Sequence, residues 1–229
     1  QPPPKAKAKT VTKSMNILGQ NVVQCRDFSI ASAKTADFIG SYPSVDQMPI
    51  FSIPELAFLG RSNVGKSSLF NSLIGTKVAV SSKTPGRTQG LNTFTCKDKD
   101  GDISVMVDLP GYGYAKLSKE KQDAISDFIQ RYLYERKSLR LVVLLVDCRR
   151  EIQDYERGVL EFLRTEGLQY VVVATKIDKM KKNEAAAAIQ DYKRALGLDD
   201  DQMLGFSAVT GEGRGNLWAK IRDGLTGTV

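Results

Sequence analysis

The sequence contains no histidine. Imidazole acid–base catalysis and histidine ligation of a metal are therefore excluded. Cysteine is scarce. Cys25, Cys96 and Cys148 are odd in number and no two stand in a C-x-x-C pair. That argues against a disulfide framework or a zinc centre, and for a reducing compartment. No stretch approaches the ~18 consecutive apolar residues of a transmembrane helix. The most apolar run, Leu139 to Val146, is strand-length and carries Arg140. The composition is that of a soluble globular protein, and 229 residues suffice for one well-buried domain and a tail.

Acidic residues are missing from the start of the chain. Lys5, Lys7, Lys9 and Lys13 face no Asp or Glu within residues 1–25, so this segment holds +4 of the net +7. Together with Gln1-Pro2-Pro3-Pro4 it has nothing to bury and is expected to be a disordered basic tail. The first residue is not Met, and the expectation is that an upstream segment was removed. An acid-poor, basic start suits the remnant of a transit peptide, which points to a plastid or mitochondrion, with a bacterial cytoplasm as the alternative. The charge suits an anionic partner such as RNA or an acidic membrane surface; a solvated tail accounts for it equally well.

What the chain does contain is organised around Gly60-Arg61-Ser62-Asn63-Val64-Gly65-Lys66-Ser67-Ser68, which fits the P-loop pattern GxxxxGK[ST]. The pattern needs a strand before it and a helix after it, so that backbone N–H groups converge on phosphate at a helix N-terminus. Leu56 to Leu59 supplies the strand. Ser67 to Leu73 reads as the helix, with Leu69, Phe70 and Leu73 on one face. Gly60 and Gly65 permit the tight loop. Lys66 is a point charge for the β- and γ-phosphates, and the Ser67 hydroxyl is a candidate Mg²⁺ ligand. Ser68 reads as a helix-start residue.

The flanking pattern is strand–helix alternation. Arg26 to Pro49 is a lead-in with a weak helical pattern around Phe28, Ala36 and Phe38. Leu91 to Cys96 and Ile103 to Leu109 read as a hairpin turning at Gly101. Lys119 to Glu135 is an amphipathic helix. Strands follow at 141–146, 170–174 and 203–206, with helices at 155–164, 183–196 and 214–225. Trp218 reads as a core residue. The expected fold is a three-layer α/β P-loop NTPase domain over residues 52–229. Its sheet is mostly parallel and six-stranded, with one antiparallel hairpin strand.

Three later segments narrow the class. Asp108-Leu109-Pro110-Gly111 ends the returning strand and fits DxxG, in which the carboxylate reaches Mg²⁺ and the glycine N–H senses the γ-phosphate. Thr175-Lys176-Ile177-Asp178 resembles the guanine-reading NKxD. A carboxylate there accepts the adjacent N1–H and N2–H₂ donors of guanine, a pair adenine lacks. Thr175 replaces the usual Asn. Phe206-Ser207-Ala208 suits a backbone contact to guanine O6. Between the P-loop helix and the hairpin, residues 81–90 are polar and Gly/Pro-punctuated, as suits a switch loop. Thr88 is the candidate second Mg²⁺ ligand there, with Thr84 as runner-up.

Taken together, GRSNVGKSS, KTPGRTQG, DLPGYGYAK, TKID and FSA resemble the EngB family (also called YihA or YsxC). This belongs to the TrmE-Era-EngA-EngB-Septin-like class of GTPases. The likeness runs from about Pro54 to Ile221. It implies Mg²⁺-dependent GTP binding and a role on the maturing large ribosomal subunit, its RNA and its proteins, by a monomer. It assigns Gly60–Ser67, Gly86-Arg87-Thr88-Gln89-Gly90, Asp108–Gly111, Thr175–Asp178 and Phe206–Ala208 to nucleotide. Ser67, Thr88 and Asp108 are the metal candidates; Lys66, Thr88 and Gly111 are the catalytic ones. TKxD is usual within this family.

The position that carries a water-orienting Gln in Ras-like enzymes is Tyr112, which predicts slow intrinsic hydrolysis. Asn63 suggests K⁺ beside the phosphates, as in relatives with Asn at this place, and hence K⁺-stimulated turnover. Arg87 is a second candidate for charge stabilisation in cis; a solvated or RNA-facing residue is the other reading, and the favoured one. Tyr112, Tyr114, Lys116, Lys119 and Lys121 interleave aromatics and charge in a way that suits RNA; packed tyrosines and solvated lysines are the other reading. Two further functions stay open: a GTPase switch for a protein effector in signalling or division, and a nucleotide-locked RNA-binding factor that rarely hydrolyses.

Overall fold

The computed structural model describes residues 35–75, 90–98, 101–113 and 118–226, with two short strands, β1 (Lys13–Met15) and β2 (Asn21–Val23). Eight further strands follow: β3 (Thr35–Tyr42), β4 (Ile50–Phe51), β5 (Glu55–Gly60), β6 (Leu91–Asp98), β7 (Gly101–Asp108), β8 (Leu139–Val146), β9 (Tyr170–Thr175) and β10 (Met203–Phe206). The helices are α1 (Lys66–Ile74), α2 (Lys119–Glu135), α3 (Asp154–Thr165), α4 (Lys182–Leu196) and α5 (Arg214–Thr226).

The main sheet has the order β10-β9-β8-β5-β7-β6-β3. All neighbours are parallel except β6, which runs against both β7 and β3. The expected hairpin is thus present, from Asn92 opposite Asp108 to Asp98 opposite Gly101. A separate small sheet joins β1, β2 and β4.

The central strands are apolar on both faces because helices cover both. Strand side chains alternate in direction. Ala57 and Leu59 of β5, with Val142, Leu144 and Val146 of β8, join the core under α2, α3 and α4. Leu56 and Phe58, with Leu141, Val143 and Leu145, join the core under α1 and α5. Leu217 and Ile221 of α5 are fully buried there, while Trp218 is half-buried and donates its indole N–H to the Leu73 carbonyl at 3.2 Å.

One expectation is corrected. The lead-in around Ala36 and Phe38 is not helical but forms β3, a seventh strand where six were expected. Its pairing with β6, from Thr35 opposite Lys97 to Tyr42 opposite Leu91, supplies the backbone hydrogen bonds that a weak helical pattern could not. A shift in register between Phe38 and Gly40 breaks the simple alternation that marks a strand.

At the N-terminal end of β5, Glu55 is fully buried. Tyr132 donates to it at 2.9 Å, Arg136 through Nε at 3.0 Å and Nη2 at 2.5 Å, and the Ser138 hydroxyl also binds it. This charge is paired and hydrogen-bonded, as burial requires. It ties α2 to the sheet at the end away from the motifs.

Candidate functional site

The motif segments leave the sheet at the C-terminal ends of four parallel strands, two on each side of β8: Gly60 from β5, Asp108 from β7, Thr175 from β9 and Phe206 from β10. In an open α/β sheet this edge is where ligands bind.

Gly65 caps α1 with φ 114° and its carbonyl accepts from the Leu69 N–H at 2.8 Å. A left-handed cap of this kind favours glycine. Asn63 is also left-handed, φ 62°, and is exposed. Val64 is buried against the core and its N–H closes a turn on the Arg61 carbonyl at 3.1 Å. Lys66, Ser67 and Gly65 are half-buried in the loop, and Ser68 is exposed. Gly60 has no room for a side chain, since a Cβ there would lie 2.9 Å from the Leu145 carbonyl oxygen and from a Val64 methyl.

The DxxG segment docks onto this loop. Arg61 and Tyr112 form a parallel bridge, and the Ser62 N–H donates to the Tyr112 carbonyl at 2.9 Å. A Cβ on Gly111 would sit 3.0 Å from the Ser62 hydroxyl and 3.1 Å from its backbone, so glycine favours this close approach and a side chain would push the two segments apart by a few tenths of an ångström. Leu109 and Pro110 are buried behind it. The Asp108 carboxylate is 4.0 Å from the Lys66 ammonium. Its Oδ1 has no hydrogen-bond partner, and burial pushes its pKa up against the pull of Lys66. A buried carboxylate oxygen without a partner beside a phosphate loop has the chemistry of a hard-cation ligand, so the residues present fit Mg²⁺.

Thr175 is 2% exposed. Its hydroxyl lies 2.6 Å from the Val64 carbonyl and 3.2 Å from that of Val146. Lys176, left-handed with φ 62°, donates to the Asn63 carbonyl at 2.6 Å and to Asp147 at 3.1 Å. Ile177 is buried in the core. Asp178 accepts from the Ser207 hydroxyl at 2.8 Å, and that hydrogen bond is the main cause that lowers its pKa. Ser207 in turn accepts from the N–H groups of Val209 and Thr210 at 3.2 and 3.1 Å. Phe206 anchors the turn in the core, 1% exposed, and Ala208 is half-buried. The Ser207 N–H is taken by the Glu212 carbonyl at 3.0 Å.

Of the switch-loop residues, only Gly90 is described, buried where a Cβ would meet the Tyr42 carbonyl oxygen at 2.5 Å. Thr84, Gly86, Arg87, Thr88 and Gln89 lie outside the described residues, as do Tyr114, Lys116 and Cys25. Lys119 and Lys121 are exposed at the start of α2. Tyr112 is 3% exposed, with its ring stacked on Tyr155 of α3 at 3.8 Å between centroids. Of the two readings open for this residue, the packed one holds: Tyr112 lies beneath the segment and presents no face on which an RNA base could stack.

The sequence reading missed Asp147. This carboxylate follows β8 and is 8% exposed. Arg149 grips it through Nε at 2.7 Å and Nη2 at 2.6 Å. Burial works to raise the Asp147 pKa, but the hydrogen bonds from Arg149 and Lys176 outweigh it and hold the value at about 2. A charged residue directly after an unbroken apolar strand was the available signal.

A family model described as 50S ribosome-binding GTPase matches residues 55–176. The protein named Probable GTP-binding protein EngB in Desulfatibacillum aliphaticivorans is 44% identical over 191 residues, covering 83% of this chain and 91% of that protein. Its counterpart in Geobacter metallireducens is 43% identical over 188 residues, covering 82% and 90%. Among solved structures, a probable GTP-binding protein engB superposes with a TM-score of 0.63 at 28% identity, covering 75% of this chain and 98% of that one.

Proposed function

We propose, for a chain that belongs to the EngB family of GTP-binding proteins, that it is a GTP-dependent assembly factor for the large ribosomal subunit. Family membership makes it a GTPase of the ribosome-biogenesis type and supports GTP hydrolysis. The observation that carries the guanine reading is the tie between two motifs: Thr175 and Lys176 bind the carbonyls of Val64 and Asn63, so the base-reading turn and the phosphate loop form one surface. The ribosomal reading is supported by the match to a 50S ribosome-binding GTPase model and by the basic tail.

In this reading the GTPase domain expected over residues 52–229 also takes in β3, the strand that completes the main sheet, and the basic tail precedes it. The N–H groups at the start of α1 and the Lys66 ammonium hold the β- and γ-phosphates. Asp178 accepts the guanine N1–H and N2–H₂ pair, poised by Ser207. With the Ser207 N–H occupied by Glu212, Ala208 is left to donate to guanine O6. The Lys176 stem lies along the base. Ser67 and Asp108, with Thr88 from the switch loop, are the residues to hold Mg²⁺. When bound, that ion would offset the charge that develops on the β- and γ-phosphates. Gly111, packed closely against Ser62, is the residue whose N–H would sense the γ-phosphate.

Tyr112 is turned into the protein, so no side chain at that position orients the attacking water, and intrinsic hydrolysis is slow. The exposed, left-handed Asn63 is the place for K⁺ to assist. Equal hydrolysis rates in K⁺ and Na⁺ buffers would overturn that assistance. The bacterial relatives favour a bacterial cytoplasm as the setting of this activity. An organelle rests on the tail alone.

The test is GTP hydrolysis with and without large ribosomal subunits, beside GDP and GTP affinities measured against their adenine counterparts. Guanine preference with stimulation by the subunit is the expected result. Absence of guanine preference overturns the site assignment; absence of stimulation and binding overturns the ribosomal role.

A further inference from the structure

We propose that Asp147 is a positioning residue for nucleotide: it holds the Lys176 ammonium against the Asn63 carbonyl of the P-loop, and Arg149 holds Asp147 in turn. The proposal rests on the reading of Thr175–Asp178 as the guanine contact, and adds a residue that no motif of the chain contains.

Lys176 occupies a left-handed backbone conformation, φ 62°, which non-glycine residues adopt where neighbours hold them. Two contacts fix its side chain. The ammonium sits 2.6 Å from the Asn63 carbonyl oxygen and 3.1 Å from Asp147 Oδ2. Asn63 is the other left-handed non-glycine among the described residues. The two unusual turns, one in the P-loop and one in the base-reading loop, therefore meet at one ammonium group. Without Asp147 the ammonium would have one acceptor here and open water beyond it, since the Lys176 side chain is 31% exposed.

Asp147 is itself fixed from the outer side. Arg149 binds both of its oxygens in a two-point clasp, and the Arg149 backbone N–H lies 3.4 Å from Oδ1. Such paired contacts restrict orientation more than a single ion pair does. The clasp leaves Oδ2 shared between guanidinium and ammonium. The low Asp147 pKa, about 2, means the carboxylate stays charged across the working range. Below it, Cys148 packs its sulfur 3.8 Å from that of Met180, which joins the segment after β8 to the turn after Lys176. Asp147 thus sits where β8, β9 and the P-loop converge. It touches no part of the nucleotide in this reading and acts through Lys176.

The experiment is a double-mutant cycle on GDP affinity and GDP release, followed with a fluorescent GDP, in the full chain. Lys176→Ala and Asp147→Ala are each expected to weaken GDP about tenfold, mainly through faster release, and the double variant no further than Lys176→Ala alone. Asp147→Asn keeps an acceptor but loses the charge, and is expected to recover part of the loss. Folding is monitored by nucleotide-free thermal unfolding. Truncating Asp147 leaves Arg149 and Lys176 partly solvated, so the fold is expected to survive; otherwise Asp147→Asn carries the same cycle. If Lys176→Ala itself has no effect, the reading of Lys176 fails and this proposal with it. If Lys176→Ala weakens GDP while the Asp147 variants do not, or if their effects add, this proposal alone is overturned.

Discussion

The Thr175 hydroxyl lies 2.6 Å from the Val64 carbonyl oxygen and joins the P-loop to the end of β9. The same hydroxyl reaches the Val146 carbonyl at 3.2 Å, at the end of β8. Where GTPases at large place an Asn amide, a shorter side chain here makes the link in a fully packed setting. Thr175→Val keeps the shape and removes the donor from two carbonyls. It is expected to destabilise the protein by about 1–3 kcal/mol and to weaken GDP, while Thr175→Ser retains most of both. Urea unfolding and GDP titration measure the pair; unchanged values for Thr175→Val would show that the link carries no energy.

Asp108 is set up at the expense of stability. Burial raises its pKa, so its contribution to stability is full when it is protonated at low pH and is lost as pH rises through the raised value. Asp108→Asn is therefore expected to stabilise the nucleotide-free protein at pH 7, an advantage that shrinks as pH falls toward the ordinary carboxylate range. The same variant should lose Mg²⁺-dependent tightening of GTP. Thermal unfolding against pH, without nucleotide, gives the first result. A less stable Asp108→Asn variant would contradict it.

In the proposed reading, Ser207 sets the acid limit of base recognition. Its hydrogen bond lowers the Asp178 pKa, so Asp178 keeps its charge to lower pH than an ordinary Asp. In Ser207→Ala that support is gone, and the loss of GDP affinity on acidification is expected to begin at higher pH. Titrating GDP between pH 7 and pH 4 compares the two proteins. Superimposable acid limbs would mean that Ser207 does not govern Asp178.

The Tyr112 phenol is buried without a hydrogen-bond partner, and burial pushes its pKa well up. A group so placed costs stability and stays a neutral phenol. Tyr112→Phe is expected to leave unfolding free energy unchanged or raised by up to about 1 kcal/mol, with single-turnover hydrolysis within about twofold of the parent. A fall of tenfold or more in that rate would place the phenol in the chemistry.

The motifs were legible because each is contiguous and each follows a strand end. Gly60–Ser67, Asp108–Gly111 and Thr175–Asp178 could be read without knowing the fold, and β10 over Met203–Phe206 was read to the residue. What escaped reading depends on contacts between distant segments. β3 is a strand because β6 lies beside it, not because Thr35–Tyr42 alternates. The inward turn of Tyr112 depends on Tyr155, far along the chain on α3. Asp147 belongs to no motif, and its place comes from where β8 ends relative to β9 and the P-loop.

The measurement that bears most directly on the central claim is binding of mature and precursor large ribosomal subunits by the protein loaded with GDP or with a non-hydrolysable GTP analogue. The account predicts strong binding with the analogue, weak binding with GDP, and an affinity that falls steeply with salt as RNA contacts require. No binding in either state, with GTP affinity intact, would keep the GTPase and contradict its role on the ribosome.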